Sequence, residues 1–300
     1  MKSFSALVKE ELKKSENQSK TCDMSELGGM ILFGGTLSDK EIRFVTESED
    51  VSTRFGTLCK VVGVKVVRVN SDTTRCVCMI ESEGDIELIL NSLQLRDEKS
   101  GLILYRIPPE LAEDEACARA FVKGAFMGGG TVIDPNKNYN LEIVTHHAGL
   151  SRELFTLLEN IGFELKTVER KSRYVLYTKK SDTISDMLSY MGAYRAQMEL
   201  INIKIEKEIR NDFNRSANSE AANLDKVIEA SVKQIQAIEL IEKNMGLANL
   251  PDELQELAQL RLKNRSESLS ALGTMLNPPL GKSGVNRRFQ RIISIADKMR

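Results

Sequence analysis

Residues 27–37 read LGGMILFGGTL and residues 122–132 read VKGAFMGGGTV. Each is an apolar stretch with helical spacing that runs into glycines and then a threonine. At one constant offset Gly29 answers Gly124, Gly34 answers Gly129, Gly35 answers Gly130 and Thr36 answers Thr131. Past a short insertion the match continues, with IRFVTES at 42–48 against LEIVTHH at 141–147. Gly63 then matches Gly162, and CVCMI at 76–80 matches YVLYT at 174–178. Correspondence over this length is the mark of an internal duplication, which decides the fold before any single element does.

Local patterns give each copy a shape. Residues 26–33 are apolar at 27, 30, 31 and 33, a helical spacing that Gly34-Gly35 ends. Residues 36–37 and 42–46 flank a polar turn and predict a hairpin, 50–62 predict a helix stopped at Gly63, 64–70 and 75–80 are β-rich, and 85–95 are helical. The second copy repeats the order with helices at 119–127, 150–161 and 183–191 and strands near 131–134, 140–145, 163–169 and 173–178. The small residues Gly28-Gly29 and Gly124-Ala125 predict that the leading helices of the two copies pack on each other about a pseudo-two-fold axis.

The 300 residues contain 41% hydrophobic and 28% charged residues, the composition of a globular protein with room for two domains. No run approaches the roughly 18 apolar residues of a membrane span, and the amphipathic MKSFSALVKEELKK lacks the apolar centre of a signal peptide. Five cysteines (Cys22, Cys59, Cys76, Cys78, Cys117) form no CxxC pair, which predicts reduced, mostly buried thiols and a cytoplasmic protein. Net charge is −1 overall, but residues 1–199 carry 26 basic and 30 acidic side chains whereas 200–300 carry 16 and 13. Within 263–300 eight bases face only Glu267 and Asp297. A near-neutral chain with a basic tip points to nucleic acid.

The doubled helix-plus-glycine motif followed by paired hairpins resembles the LAGLIDADG homing-endonuclease fold. In active members of that fold an acid at the end of each motif helix holds the divalent metals. The resemblance puts Gly34 and Gly129 at those positions, with Leu32 and Met127 at the other acidic position of the motif. Hard divalent cations need oxygen ligands, so the fold is expected without a metal, a cofactor or phosphodiester chemistry. Asp39, Glu41 and Asp134 fall in or beside turns, where Asp has hydrogen-bonding reasons to be. His146 and His147 are adjacent on a strand end and face opposite ways. Gly128–Gly130 follows a helix, whereas a phosphate loop precedes one, and Gly281-Lys282-Ser283 has Leu276 where a Walker A loop needs glycine.

The C-terminal third predicts an Asn-rich linker at 199–224, helical in its first half, and then helices at 225–243, 252–262, 268–276 and 282–300. The last two read as a helix-turn-helix. Leu269, Leu272 and Leu276 face a stripe of Val285, Phe289, Ile292 and Ile293, and Pro278-Pro279 separates the two. The outer face of the last helix carries Lys282, Ser283, Asn286, Arg287, Arg288 and Arg291, with Ser283 available as a cap. Arg and Asn suit the edges of guanine and adenine, Lys and Ser suit phosphate, and recognition helices read bases through their N-terminal residues. Ser283, Asn286 and Arg287 are therefore the expected base contacts. A bundle with an exposed basic face is the plainer alternative.

Together, the duplication, NDFNRSANSEAANLDK at 211–226, LPDELQELAQLRL at 250–262 and GKSGVNRR at 281–288 are similar to the WhiA family. Gly281 stands where Ser is usual there. The resemblance covers nearly the whole chain. It implies a nucleoid-associated bacterial transcription regulator linked to sporulation, chromosome segregation and cell division, without nuclease activity. The expected protein is α+β. It has an N-terminal helix at 1–20 and a degenerate LAGLIDADG-like αββαββα duplication at 21–198, with repeats at 26–95 and 119–192. The linker leads to an all-α helix-turn-helix domain at 225–300 with its motif at about 267–300. The expected partner is double-stranded DNA. A small-molecule substrate and a membrane are not expected. The acidic first part could bind a protein partner, or touch DNA through Arg43, Arg68 and Arg75.

Overall fold

The computed structural model describes residues 2–70, 75–97, 99–112 and 114–299. It divides into two compact units, Met1–Lys207 and Glu208–Arg300.

In the first unit α1 (Phe4–Lys14) starts at a Ser3 cap and buries Phe4, Val8 and Leu12. The first repeat is α2 (Lys20–Gly34), β1 (Gly35–Leu37), β2 (Ile42–Thr46), α3 (Glu49–Val62), β3 (Val67–Asn70), β4 (Cys76–Ile80) and α4 (Glu83–Ser92). The second is α5 (Glu115–Gly129), β5 (Gly130–Val132), β6 (Leu141–Thr145), α6 (Ala148–Ile161), β7 (Lys166–Arg170), β8 (Arg173–Thr178) and α7 (Ser181–Met191). The sheets have one antiparallel topology twice over, β1-β2-β4-β3 and β5-β6-β8-β7. Alternation does the burying: Ile42 and Phe44 point inward from β2, as Leu141 and Ile143 do from β6. Phe44 stacks on Phe55 of α3 at 4.6 Å. Gly63 and Gly162 end the equivalent helices at φ +89° and +103°, a conformation that only glycine adopts without penalty.

α2 and α5 start earlier than residues 26 and 119 because Ser19 and Asp114 supply N-caps ahead of the apolar run. Both are buried nearly all round and pack on each other as the axis of the pseudo-dimer. A Cβ on Gly29 would lie 2.3 Å from the Phe121 carbonyl oxygen, and one on Gly124 would lie 2.0 Å from that of Glu26. Gly28 instead faces Leu93 of the same repeat, so one glycine of the expected pair belongs to the helix contact and the other does not. Glu26, wholly buried, ties this pair to its surroundings. Its carboxylate meets the Arg54 guanidinium at 2.6 and 2.8 Å, Lys123 Nζ at 2.9 Å and the Asn17 amide at 2.7 Å.

Residues 199–224 are helical throughout, not only in their first half. They lie inside α8 (Tyr194–Asn244), which passes through the boundary between the units. The segment contains neither Gly nor Pro, and Asn and Ser each lower helix propensity by only some tenths of a kcal/mol. In the second unit the end of α8 joins α9 (Asp252–Lys263), α10 (Leu269–Met275) and α11 (Lys282–Asp297) around Ile238, Ile241, Leu254, Leu257, Leu272, Val285, Phe289 and Ile292. Ser268 caps α10, as its sequence position predicts. α11 is capped by Gly281 rather than Ser283, and no side chain bonds its first turn.

Candidate nucleic-acid interface

The C-terminal ends of α2 and α5 are where a divalent cation would be held in a catalytic LAGLIDADG protein. Here Gly34 and Gly129 are crowded by the Phe44 ring and by backbone. A Cβ on Gly34 would lie 2.6 Å from the Phe44 ring and 2.9 Å from Gly128, and one on Gly129 would lie 2.4 Å from the Val144 carbonyl oxygen. Neither position offers a ligand atom or has room for one, so these residues do not fit the metal. Nearby acids have other duties. Asp134 accepts from Asn136 N and Nδ2 at 2.9 and 3.1 Å, bonds that hold its carboxyl below the usual range. Asp39 pairs with Arg96 at 2.9 Å. His147 stacks on Tyr105 at 3.7 Å, and burial lowers its pKa, whereas His146 is exposed.

The outer face of α11 is open. Val285, Phe289, Ile292 and Ala296 point inward, which turns Lys282, Ser283, Asn286 and Arg287 to solvent. Lys282, Asn286 and Arg287 have no side-chain partner among the described residues. The turn from α10 is tight: Leu280 donates to the Gly273 carbonyl at 2.9 Å, and a Cβ on Gly273 would lie 2.0 Å from the Leu280 carbonyl oxygen. Gly273 thus fixes the approach of the two helices.

Arg288 and Arg291 stand apart from their neighbours. Glu253 of α9 holds both, meeting Arg288 Nη2 at 3.2 Å and Arg291 Nη1 at 2.5 Å. Arg288 is also half-buried and donates to the Glu253 carbonyl at 3.4 Å. Within α11, Lys282 and Arg287 face solvent, whereas Arg288, the next residue, and Arg291, one turn past Arg287, are tethered. No periodicity in α9 marks Glu253 as the acid that reaches α11, so the sequence carried no sign of this clamp. A second structural cation went unnoticed as well. Arg261 is 2% exposed, donates to the Glu267 carbonyl at 2.6 Å and lies 5.3 Å above the Phe289 ring, bracing α11 from behind. On the first unit, Arg43 is exposed on β2, Arg75 pairs with Glu47 at 3.4 Å, and the Arg68 side chain lies outside the described residues.

Fold and face together define a LAGLIDADG-like duplication without its metal acids, followed by a helix-turn-helix domain. The family model described as the WhiA LAGLIDADG-like domain matches residues 118–210, and the WhiA C-terminal HTH domain matches 213–296. The "Probable cell division protein WhiA" of Alkaliphilus metalliredigens is 39% identical over 99% of this chain and 98% of its own. The protein of the same name from Clostridium novyi is 36% identical, also over 99% and 98%. Crystalline full-length DUF199/WhiA from Thermatoga maritima superposes with a TM-score of 0.64 at 29% identity, covering 99% of both chains. The chain belongs to the WhiA family. Among its described residues no helix is long and apolar enough to cross a membrane.

Proposed function

We propose that this protein is a non-enzymatic, sequence-specific DNA-binding regulator that acts in cell division, as the names of its relatives suggest, in the cytoplasm at the nucleoid. Chromosome segregation and sporulation are the alternative processes. The observation that carries the reading is the unpartnered outer face of α11. Lys282, Asn286 and Arg287 project from the first turns of a helix whose opposite side is locked into a core. Arg287 and Asn286 present the donor geometry for guanine and adenine edges in the major groove, with Ser283 beside them. Lys282 lies at the helix start, where phosphate is favoured by both charge and free N–H groups. Arg288 and Arg291, held by Glu253, orient the face and reach phosphate at its rim. On this reading, residues 267–300 carry DNA recognition.

Chromatin immunoprecipitation with sequencing tests this proposal. Discrete enriched sites that vanish in an Arg287→Ala strain support it, and uniform recovery of genomic DNA refutes sequence-specific reading. Supercoiled plasmid incubated with the purified protein and Mg²⁺ or Mn²⁺ tests the enzymatic alternative. Nicking at stoichiometric protein would overturn the non-catalytic assignment.

A further inference from the structure

Repeat-equivalent residues also meet where α2 and α5 begin. Ser19 caps α2 and accepts from Cys22 N at 3.2 Å, and Asp114 caps α5 and accepts from Cys117 N at 3.1 Å. Each copy therefore presents a cap, two further residues and a cysteine. The cysteines are 95 residues apart, the spacing that separates Gly29 from Gly124. Helices that cross on a pseudo-two-fold axis bring equivalent positions together, and these two have chemistry to share. Cys22 Sγ and Cys117 Sγ lie 2.9 Å apart, and both residues are 2% exposed.

A disulfide bond spans about 2.05 Å, so under about 1 Å of closure separates the thiols from a covalent link. The glycine contacts further along the helices hold the two backbones close together. Cys117 also lines a cavity of about 480 Å³ with Thr21, Met24, Ser25 and Leu93, which admits a small oxidant. We propose that Cys22 and Cys117 are a two-electron dithiol that a hydroperoxide converts to an inter-repeat disulfide. Cys117, facing the cavity, attacks the terminal peroxide oxygen. The O–O bond breaks, the alcohol leaves with the thiol proton, and a sulfenic acid forms. Cys22 then attacks that sulfur, the S–S bond forms, and hydroxide departs as water with the second proton. Two thiols lose two electrons and two protons, and the hydroperoxide is reduced to alcohol and water. Burial and the adjacent Cys22 push the Cys117 thiol up to about 12, so thiolate is scarce at neutral pH and the reaction is slow.

A metal site is the competing use of this corner, because Asp114 brings a carboxylate within 4.8 Å of both sulfurs. Its Oδ1, however, is engaged by Ala116 N and Cys117 N at 2.9 and 3.1 Å. The two helix N-termini that converge there also favour anions over cations.

The test uses the full chain, reduced, treated with chelator, desalted and exposed to hydrogen peroxide. The expected product has lost two of its five thiols to maleimide labelling. Tryptic mapping should find the peptides 21–40 and 107–119 joined, at a mass two hydrogens below their sum. The melting temperature should rise by roughly 5–10 °C and return with dithiothreitol. Cys76→Ser should leave the cross-link unchanged. Oxidation of Cys117 to sulfinic acid without a cross-link, or a bridge to another cysteine, would overturn the proposal. One zinc per chain that survives chelation and blocks the reaction would overturn it in favour of a metal centre.

Discussion

Lys123 and Arg287 are both cations on helices fixed by a glycine contact, and their surroundings put them to opposite uses. Lys123 sits on α5 in the first unit, 3% exposed, bonded to Glu26, Ser15 and Asn17. Arg287 sits on α11 in the second, exposed, with no protein partner among the described residues. The difference follows from how many sides of the helix are covered. The central stretches of α2 and α5 are enclosed by their own sheets and by each other, so the charges there, Glu26 and Lys123, must be matched inside. α11 packs along one stripe, and its remaining face stays available to a polyanion. Lys123 holds its helix pair to the surrounding structure, whereas Arg287 is left facing solvent.

The most damaging way to break the first half of this contrast is to separate α2 from α5. Gly124→Ala places a methyl 2.0 Å from a backbone oxygen that cannot rotate away. We expect more than about 4 kcal/mol of destabilisation, seen as loss of the first thermal transition by calorimetry and circular dichroism. Gly281→Ala, whose Cβ meets open space, should change stability by about 0.5 kcal/mol or less. Similar melting curves for the two variants would refute the close-approach argument.

Removing the anion comes next. Glu26→Ala strands Arg54 and Lys123 without their shared carboxylate, which should cost about 3–5 kcal/mol in urea unfolding. Removing a cation from the open face should cost no stability. Arg287→Ala should instead lose about 1–3 kcal/mol of binding to a preferred DNA site, while Lys282→Ala should weaken all DNA alike and flatten the salt dependence. Fluorescence anisotropy against specific and random duplexes separates the two. Equal losses on both duplexes for both variants would reject base reading by Arg287.

The sequence disclosed most of the first half of the contrast and only part of the second. The duplication was legible because glycines at a backbone-to-backbone contact have no substitute, so Gly29/Gly124 and Gly34/Gly129 recur at one offset. The same offset relates Cys22 to Cys117, but cysteines tested only for CxxC spacing hide a pairing that arises from symmetry. The apolar stripe of α11 showed which side faces outward. It could not distinguish Arg287, left free, from Arg288 and Arg291, because the clamp comes from Glu253 on another helix. The stretch at 199–224, expected to be helical only in its first half, is helical throughout, because without Gly or Pro its Asn and Ser residues do not end a helix.

The smallest expected effect concerns a half-buried cation with no acid paired to it among the described residues. Lys9 of α1 is half-buried, with Nζ 5.8 Å above the Phe126 ring, and burial lowers its pKa from 10.5 to about 8. Below pH 8 the lysine is protonated in both the folded and the unfolded chain, and folding bears the whole desolvation penalty. Between pH 8 and 10.5 the folded chain releases a proton that the unfolded chain keeps, so the stability contribution rises with pH. Above that window both states are neutral and the dependence ends. Partial exposure and the favourable ring contact reduce the penalty, so Lys9→Met should be more stable than the parent by about 1 kcal/mol at pH 7. That advantage should shrink through pH 8–10.5. Lys282→Met on the open face should change stability at pH 7 by about 0.5 kcal/mol or less. Parallel stability–pH curves for Lys9→Met and the parent would mean that Lys9 is hydrated and bears no desolvation cost.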